Sequence, residues 1–177
     1  MKKWKIVLCV GLAFALLTGC REASYHHAVE ELEEGNYQEA ASDFETSIKL
    51  EVSLADSYQG LGICRYELED YEGAMEALEE SVEAGEEESF QMEQMMGNCA
   101  LALEDYESVI SYFEKAIALG EAGQEAAIQT MRFDIISCYE KLEDYDSAKE
   151  LLTDYLADYP EDEDAAKEAA FLETQWP

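Results

Sequence analysis

One phrase recurs four times along this chain and limits what it can fold into. An acidic or glycine turn precedes a tyrosine, and a small residue follows three positions later. The copies read Gly35-Asn-Tyr37-Gln-Glu-Ala40, Glu69-Asp-Tyr71-Glu-Gly-Ala74, Glu104-Asp-Tyr106-Glu-Ser-Val109 and Glu143-Asp-Tyr145-Asp-Ser-Ala148. The small residues stand 34, 35 and 39 positions apart. A period of that length marks a chain assembled from stacked supersecondary units, none of which can bury its apolar face alone.

Each phrase lies between two helical patterns. After it come Ala40, Phe44, Ser47 and Ile48; Ala74, Leu78, Ser81 and Val82; Val109, Phe113, Ala116 and Ile117; and Ala148, Leu152, Tyr155 and Leu156. The i, i+4, i+7, i+8 spacing turns one helix face toward a core. Before it, Leu61-Gly62, Met96-Gly97 and Ile135-Ile136 occupy equivalent slots, where a small residue lets two helices approach closely. Proline occurs only at 160 and 177, so little interrupts the helices. Residues 161–173 predict a last amphipathic helix with Ala166, Ala169 and Ala170 on one stripe, capping the end of the stack.

The pattern resembles the tetratricopeptide repeat, whose signature runs Leu-Gly, aromatic, Ala, Phe, Pro over about 34 residues. The second copy keeps Leu61-Gly62, Tyr71 and Ala74. The third keeps Gly97, Tyr106, Phe113 and Ala116, and the fourth Tyr139, Tyr145, Ala148 and Pro160. The first copy is the most degenerate, with His27-Ala28 in its opening helix and Glu31 in an aromatic slot. Glu69, Glu104 and Glu143 stand in turns where the family often has glycine, and an insert at Gly120-Glu-Ala-Gly123 precedes the fourth copy. The resemblance implies an all-α, right-handed α-solenoid of four hairpins, approximately 24–53, 54–87, 88–121 and 124–160. A capping helix and tail over 161–177 complete it.

The first residues carry a different message. Lys2, Lys3 and Lys5 precede an apolar run from Ile6 to Leu17, which is too short to span a hydrocarbon core needing about 20 residues. A basic start followed by such a run is the layout of a secretory signal peptide. The run ends Leu17-Thr18-Gly19-Cys20, which resembles the lipobox of bacterial lipoproteins. That resemblance implies cleavage of a signal peptide (1–19), lipidation of Cys20 and a short tether over 20–23. Two acyl chains reach the threshold for stable anchoring. The expected location is the cell membrane, lipid-anchored and facing the extracytoplasmic side.

Charge then narrows the partners. The chain carries a net charge of -31, and loss of the three leading lysines takes it to about -34. A nucleic-acid partner is excluded because binding it needs a basic patch that releases counterions. Adhesion of the protein face to anionic lipid is disfavoured on the same grounds. A basic partner segment fits such a surface.

No catalytic or cofactor motif emerges. Cys64, Cys99 and Cys138 are 35 and 39 positions apart, the repeat's own intervals. They therefore occupy one place on successive first helices. Packed helices lie about 8–10 Å apart, beyond the roughly 7 Å Cα separation a disulfide tolerates, so three free structural thiols are expected. His26 and His27 point about 100° apart on a helix, a poor arrangement for one metal, and read as a surface pair. The acidic runs Glu86-Glu87-Glu88 and Glu161-Asp-Glu-Asp164 lack the alternating spacing of a calcium loop and mark loops or helix starts. No metal, no cofactor and no enzymatic activity is expected.

In tetratricopeptide proteins the first helices line a concave surface that receives an extended peptide or a partner's helix. Carried over slot by slot, that surface comprises Tyr25, Val29, Leu32 and Glu33, then Gln59, Ile63, Tyr66 and Glu67. Gln94, Asn98 and Leu101 follow, then Phe133, Ser137, Glu140 and Lys141. Aromatics in a concavity are typical anchors of binding energy, although packing between repeats would account for Tyr66 and Phe133 equally well. Only Asn98 and Lys141 could serve the family's mode of holding a C-terminal carboxylate, so that mode is not expected. The functional expectation is a membrane-anchored protein–protein adaptor or scaffold at the cell envelope. The alternative is a structural subunit of an envelope assembly complex.

Overall fold

A computed structural model describes residues 22–175. The expected signal segment and Cys20 lie outside the described residues. Those described are all-α, as the repeat predicts. The helices are α1 (22–34), α2 (Tyr37–Lys49), α3 (Leu54–Glu67), α4 (Tyr71–Glu83), α5 (Phe90–Ala102), α6 (Tyr106–Leu119), α7 (Glu125–Lys141), α8 (Tyr145–Asp158) and α9 (Glu163–Gln175). Residues 22 and 23 of the expected tether are already helical.

The recurring phrase is a compact helix–helix turn. In each copy the first helix ends in paired backbone bonds of the Schellman type. Glu69 N–H reaches the Tyr66 carbonyl and Asp70 N–H the Arg65 carbonyl. The pairs Gly35–Leu32 and Asn36–Glu31, Glu104–Leu101 and Asp105–Ala100, and Glu143–Glu140 and Asp144–Tyr139 repeat that geometry. The next residue caps the following helix: the carboxylates of Asp70, Asp105 and Asp144 accept from the N–H of Gly73, Ser108 and Ser147 at 3.2, 3.3 and 3.2 Å. Two residues thus close one helix and open the next. The geometry requires positive φ at the first of them, 80° at Gly35 but 62°, 58° and 60° at Glu69, Glu104 and Glu143.

Contacts divide the chain into two compact units, one ending at Glu87 and the other beginning at Glu88. In the first, α2 packs on α3 and α3 on α4. Its core gathers Ala28, Ala40, Phe44, Leu61, Cys64 and Ala77. Gly60 is the contact point: a Cβ there would lie 2.3 Å from the Phe44 ring. Ser81, fully buried, donates its hydroxyl to the Ala55 carbonyl at 2.9 Å and so ties α4 to α3.

In the second unit α5 packs on α6, α6 on α7, α7 on α8 and α8 on α9. In all four second helices the first three predicted positions are buried (Ala40, Phe44 and Ser47; Ala74, Leu78 and Ser81; Val109, Phe113 and Ala116; Ala148, Leu152 and Tyr155), while the fourth, Ile48, Val82, Ile117 or Leu156, is half-buried. The insert ends α6 on an extended Gly120, and Gly123 takes φ 102° with its N–H held by the Glu125 carboxylate.

One expected register is corrected. In α9 the buried positions are Ala165 and Leu172, with Ala169 partly buried beside them, whereas Ala166 and Ala170 are exposed. Residues 165, 169 and 172 also have helical spacing, and Leu172 brings far more apolar area to α8 than any alanine. Asp162 fixes the start of this register by accepting the N–H groups of Asp164 and Ala165 at 3.2 and 3.1 Å.

Cys64, Cys99 and Cys138 are free and buried, as expected of equivalent core positions. Burial pushes each thiol up to about 11. The reactive thiolate is therefore scarce at neutral pH. Site-resolved mass spectrometry after iodoacetamide treatment should find all three unmodified in the native protein and modified in denaturant. Native labelling, or a disulfide between any two, would contradict the repeat register.

Candidate functional site

The predicted groove positions fall on α1, α3, α5 and α7, the first helix of each hairpin. Tyr25, Val29 and Leu32 are partly buried against the first unit's core, and Tyr25 meets Phe44 edge-on at 6.2 Å. Gln59, Ile63 and Tyr66 are half-buried on α3, with Tyr66 edge-on to Tyr71 at 5.9 Å. On α5, Gln94 and Asn98 are half-buried and Leu101 is exposed. On α7, Phe133 and Ser137 are half-buried and Lys141 is exposed. Ser137 returns its hydroxyl to the Phe133 carbonyl at 3.2 Å. Phe133 also stacks obliquely on Tyr155, with ring centroids 5.6 Å apart. Packing and accessibility thus coexist at these aromatics.

Phe133 opens onto a cavity of about 260 Å3 between α7, α8 and the start of α9. Gln129 and Asp134 of α7, Tyr155 of α8, Asp162 just before α9 and Asp164 of α9 line it as well. Its wall is a hydrogen-bonded relay: Gln129 Nε2 donates to the Tyr155 hydroxyl at 3.0 Å, and that hydroxyl donates to Asp162 Oδ2 at 2.7 Å. Backbone N–H groups and the Tyr155 hydroxyl hold the Asp162 carboxyl below its ordinary range. Asp134 is raised, by burial alone. Sequence reasoning reached Phe133 but not Asp134, and read Asp162 only as part of an acidic helix start, because the cavity joins three helices and no spacing announces it.

Two further carboxylates are desolvated: Glu93, which the sequence did not single out, and Glu140, which it placed in the groove and which is half-buried. Glu93 on α5 is 1% exposed; Lys115 of α6 stands 3.7 Å from its Oε1 and 3.1 Å from Glu88, while Oε2 has no partner. Burial raises Glu93 and Lys115 opposes the rise. Glu140 on α7 faces Glu168 on α9, and its Oε1 is sealed without a partner. Burial first, then the Glu168 charge and a hydrogen bond between the two carboxyls, raise Glu140 from 4.5 to about 7.

This pair gives a signed pH effect. A carboxyl whose folded pKa is raised adds stability that is complete below its unfolded value near 4.5 and is lost as pH climbs through about 7. Thermal unfolding followed from pH 5 to 8.5 should show a decline that Glu140→Gln removes in part. Equal pH slopes for parent and variant would contradict the shared proton.

Of the two histidines, both exposed, His27 pairs with Asp43 at 2.6 Å and with Glu31 at 3.5 Å. No group of three or more His, Cys, Asp or Glu able to hold a metal occurs among the described residues. No described helix is long and apolar enough to cross a membrane.

The sequence comparisons agree with this geometry. Models of the tetratricopeptide repeat match residues 25–89, 94–119 and 130–162. The chain is therefore built of tetratricopeptide repeats. Its fold is similar to that of YrrB, titled "a TPR protein with an unusual peptide-binding site", with a TM-score of 0.66 and 21% identity over 84% of this chain and 74% of that one. MamA is similar with a TM-score of 0.65 and 14% identity, over 86% of this chain and 80% of that one. A form of MamA from Desulfovibrio magneticus RS-1 has a TM-score of 0.64 and 15% identity, over 88% and 84%. No curated protein matches the sequence significantly.

Proposed function

We propose that this protein is a membrane-anchored adaptor that captures a segment of another protein along the first helices of its repeats. The supporting observation is the pair of aromatics, Tyr66 on α3 and Phe133 on α7. Both are half-buried, so each has a rigid base and an open face. Large rings held in this way supply contact area at low entropic cost and commonly anchor interfaces. The peptide-binding site named for YrrB is a precedent for a similar fold taking a peptide. The net charge of -31 favours a basic segment and hastens its encounter. Cys64, Cys99 and Cys138 contribute packing to this reading and no chemistry, since each is buried and raised to about 11.

The anchor belongs to the same proposal and rests on the Leu17-Thr18-Gly19-Cys20 motif. Cys20→Ser should release the chain from the membrane fraction and abolish the acylated N-terminal mass. Affinity capture from the detergent-solubilised envelope tests the adaptor itself, with Tyr66→Ala/Phe133→Ala as the comparison. Loss of one partner with that variant, its helical content retained, supports the reading. A stable multi-subunit complex indifferent to the variant would overturn it in favour of a structural subunit.

A further inference from the structure

Little apolar surface holds α9 in place. Ala165 and Leu172 are its buried residues, Ala169 is partly buried, and Phe171 stays 50% exposed. Asp162 fixes its start by accepting the N–H groups of Asp164 and Ala165. Beyond that cap, its apolar side meets Ile136 and Tyr139 of α7 and Leu152 and Tyr155 of α8. A helix with so small a buried face is the kind of element that opens locally before the rest unfolds.

Into this small interface the chain puts two carboxylates. Glu140 follows Ile136 by one helical turn on α7, and Glu168 lies between Ala165 and Leu172 on α9, so each stands on the face turned toward the other. Both are half-buried, and Glu140 Oε1 is sealed without a partner. Two like charges there repel in surroundings that screen them poorly. One shared proton replaces that repulsion with a hydrogen bond between the carboxyls, and burial, then Glu168, raise Glu140 to about 7. Lys141, exposed on the same helix, opposes the rise. From α8 the cluster receives Tyr145, Ala148, Leu151, Leu152, Tyr155 and Leu156, none of them charged near neutral pH. Lys149 of α8 and Glu173 of α9 flank a separate cavity between those two helices. Toward the other end of α7, Asp134 is raised by burial beside Asp162 and Asp164, and Asp162 is held low enough to stay ionised.

We propose that α9 is a latch on the fourth hairpin, closed by a proton that Glu140 and Glu168 share and released when that proton is lost. The closed pair keeps a proton that the open carboxyls bind only below about 4.5, so closure is strongest below that value. It weakens by up to about tenfold per pH unit as pH climbs toward about 7, and levels off above. Opening uncovers Ile136 and Leu152 and frees Glu140, which belongs to the first-helix surface. The latch does not depend on the adaptor reading. Where that reading holds, it couples proton activity to one end of the capture surface.

Hydrogen exchange followed by mass spectrometry on the full chain reads the latch directly, once rates are corrected for the intrinsic pH dependence of exchange. Between pH 5 and 7.5 the protection of α9 amides should fall by about tenfold or more, while that of α8 changes by less than about threefold. Glu140→Gln and Glu168→Gln each remove the shared proton and should make α9 protection nearly independent of pH. Asp134→Asn should keep the parent's dependence. Circular dichroism at both pH values separates an open latch from a lost fold. Unchanged α9 protection, an equal fall in α8 and α9, full pH dependence in both glutamine variants, or its loss in Asp134→Asn would overturn the proposal. The exchange needs no partner, so its failure is distinct from a failure of envelope capture to depend on Tyr66 and Phe133.

Discussion

Gly97→Ala should destabilise the second unit by about 2–3 kcal/mol, an unusually large effect for adding one methyl group. A Cβ at this position would lie 2.3 Å from Cδ1 and Cε1 of Phe113, which is itself fully buried. The ring has no room to retreat, so the helices must separate. Phe113→Ala should cost about 3–5 kcal/mol by leaving a cavity at the same contact. The two substitutions should not add. In the Phe113→Ala background the alanine at 97 enters vacated space, and its own cost should fall below about 1 kcal/mol. Denaturant titrations of the four proteins would measure that coupling. Additive costs would mean that Gly97 does not set the α5–α6 distance.

Replacing Glu69, Glu104 and Glu143 together with glycine should stabilise the protein by roughly 2 kcal/mol, despite the flexibility added to the unfolded chain. Each glutamate holds φ near 60°, where an L-residue pays about 1–2 kcal/mol. Glycine pays none of this, and the sites lie in separate hairpins, so the gains should sum. Gly35 already serves this role in the first hairpin at φ 80°, and Gly35→Ala should destabilise by about 1 kcal/mol. Changing the three glutamates to alanine distinguishes strain from charge, since it removes the carboxylates and keeps the strained φ. A gain from alanine equal to that from glycine would assign the effect to charge repulsion.

These turns explain why so much of the fold was legible. Glu-Asp-Tyr combines a Schellman end with an aspartate N-cap, a local arrangement complete within a few residues. The second helices were equally readable, because Phe44, Leu78, Phe113 and Leu152 recur in one slot and all four are buried. The α9 register was not. Its alanines offer two stripes of similar spacing, and the choice depends on Leu172 meeting Leu152 and Tyr155, a tertiary fact.

The candidate site was legible in outline only. Repeat spacing put Phe133 and Tyr66 on first helices, yet how far each is buried depends on Tyr155 and Tyr71 across the hairpin. Asp134 looked like one acidic residue among 42. Its neighbours in space, Tyr155 and Asp162, come from α8 and the turn before α9, so only the packed structure brings them together. Glu93 was missed, and the burial of the groove residue Glu140 was not foreseen, for the same reason: burial of a carboxylate is decided by what covers it.

The most direct test of the central claim places a photo-crosslinking amino acid at single exposed positions of the chain expressed in its native host. Leu101 and Lys141 report on first helices, and Glu114 and Glu150 on second helices. Capture along the first helices predicts a cross-linked partner from positions 101 and 141 and none from 114 and 150. Cross-links from the second-helix positions alone, or equally from all four, would contradict it.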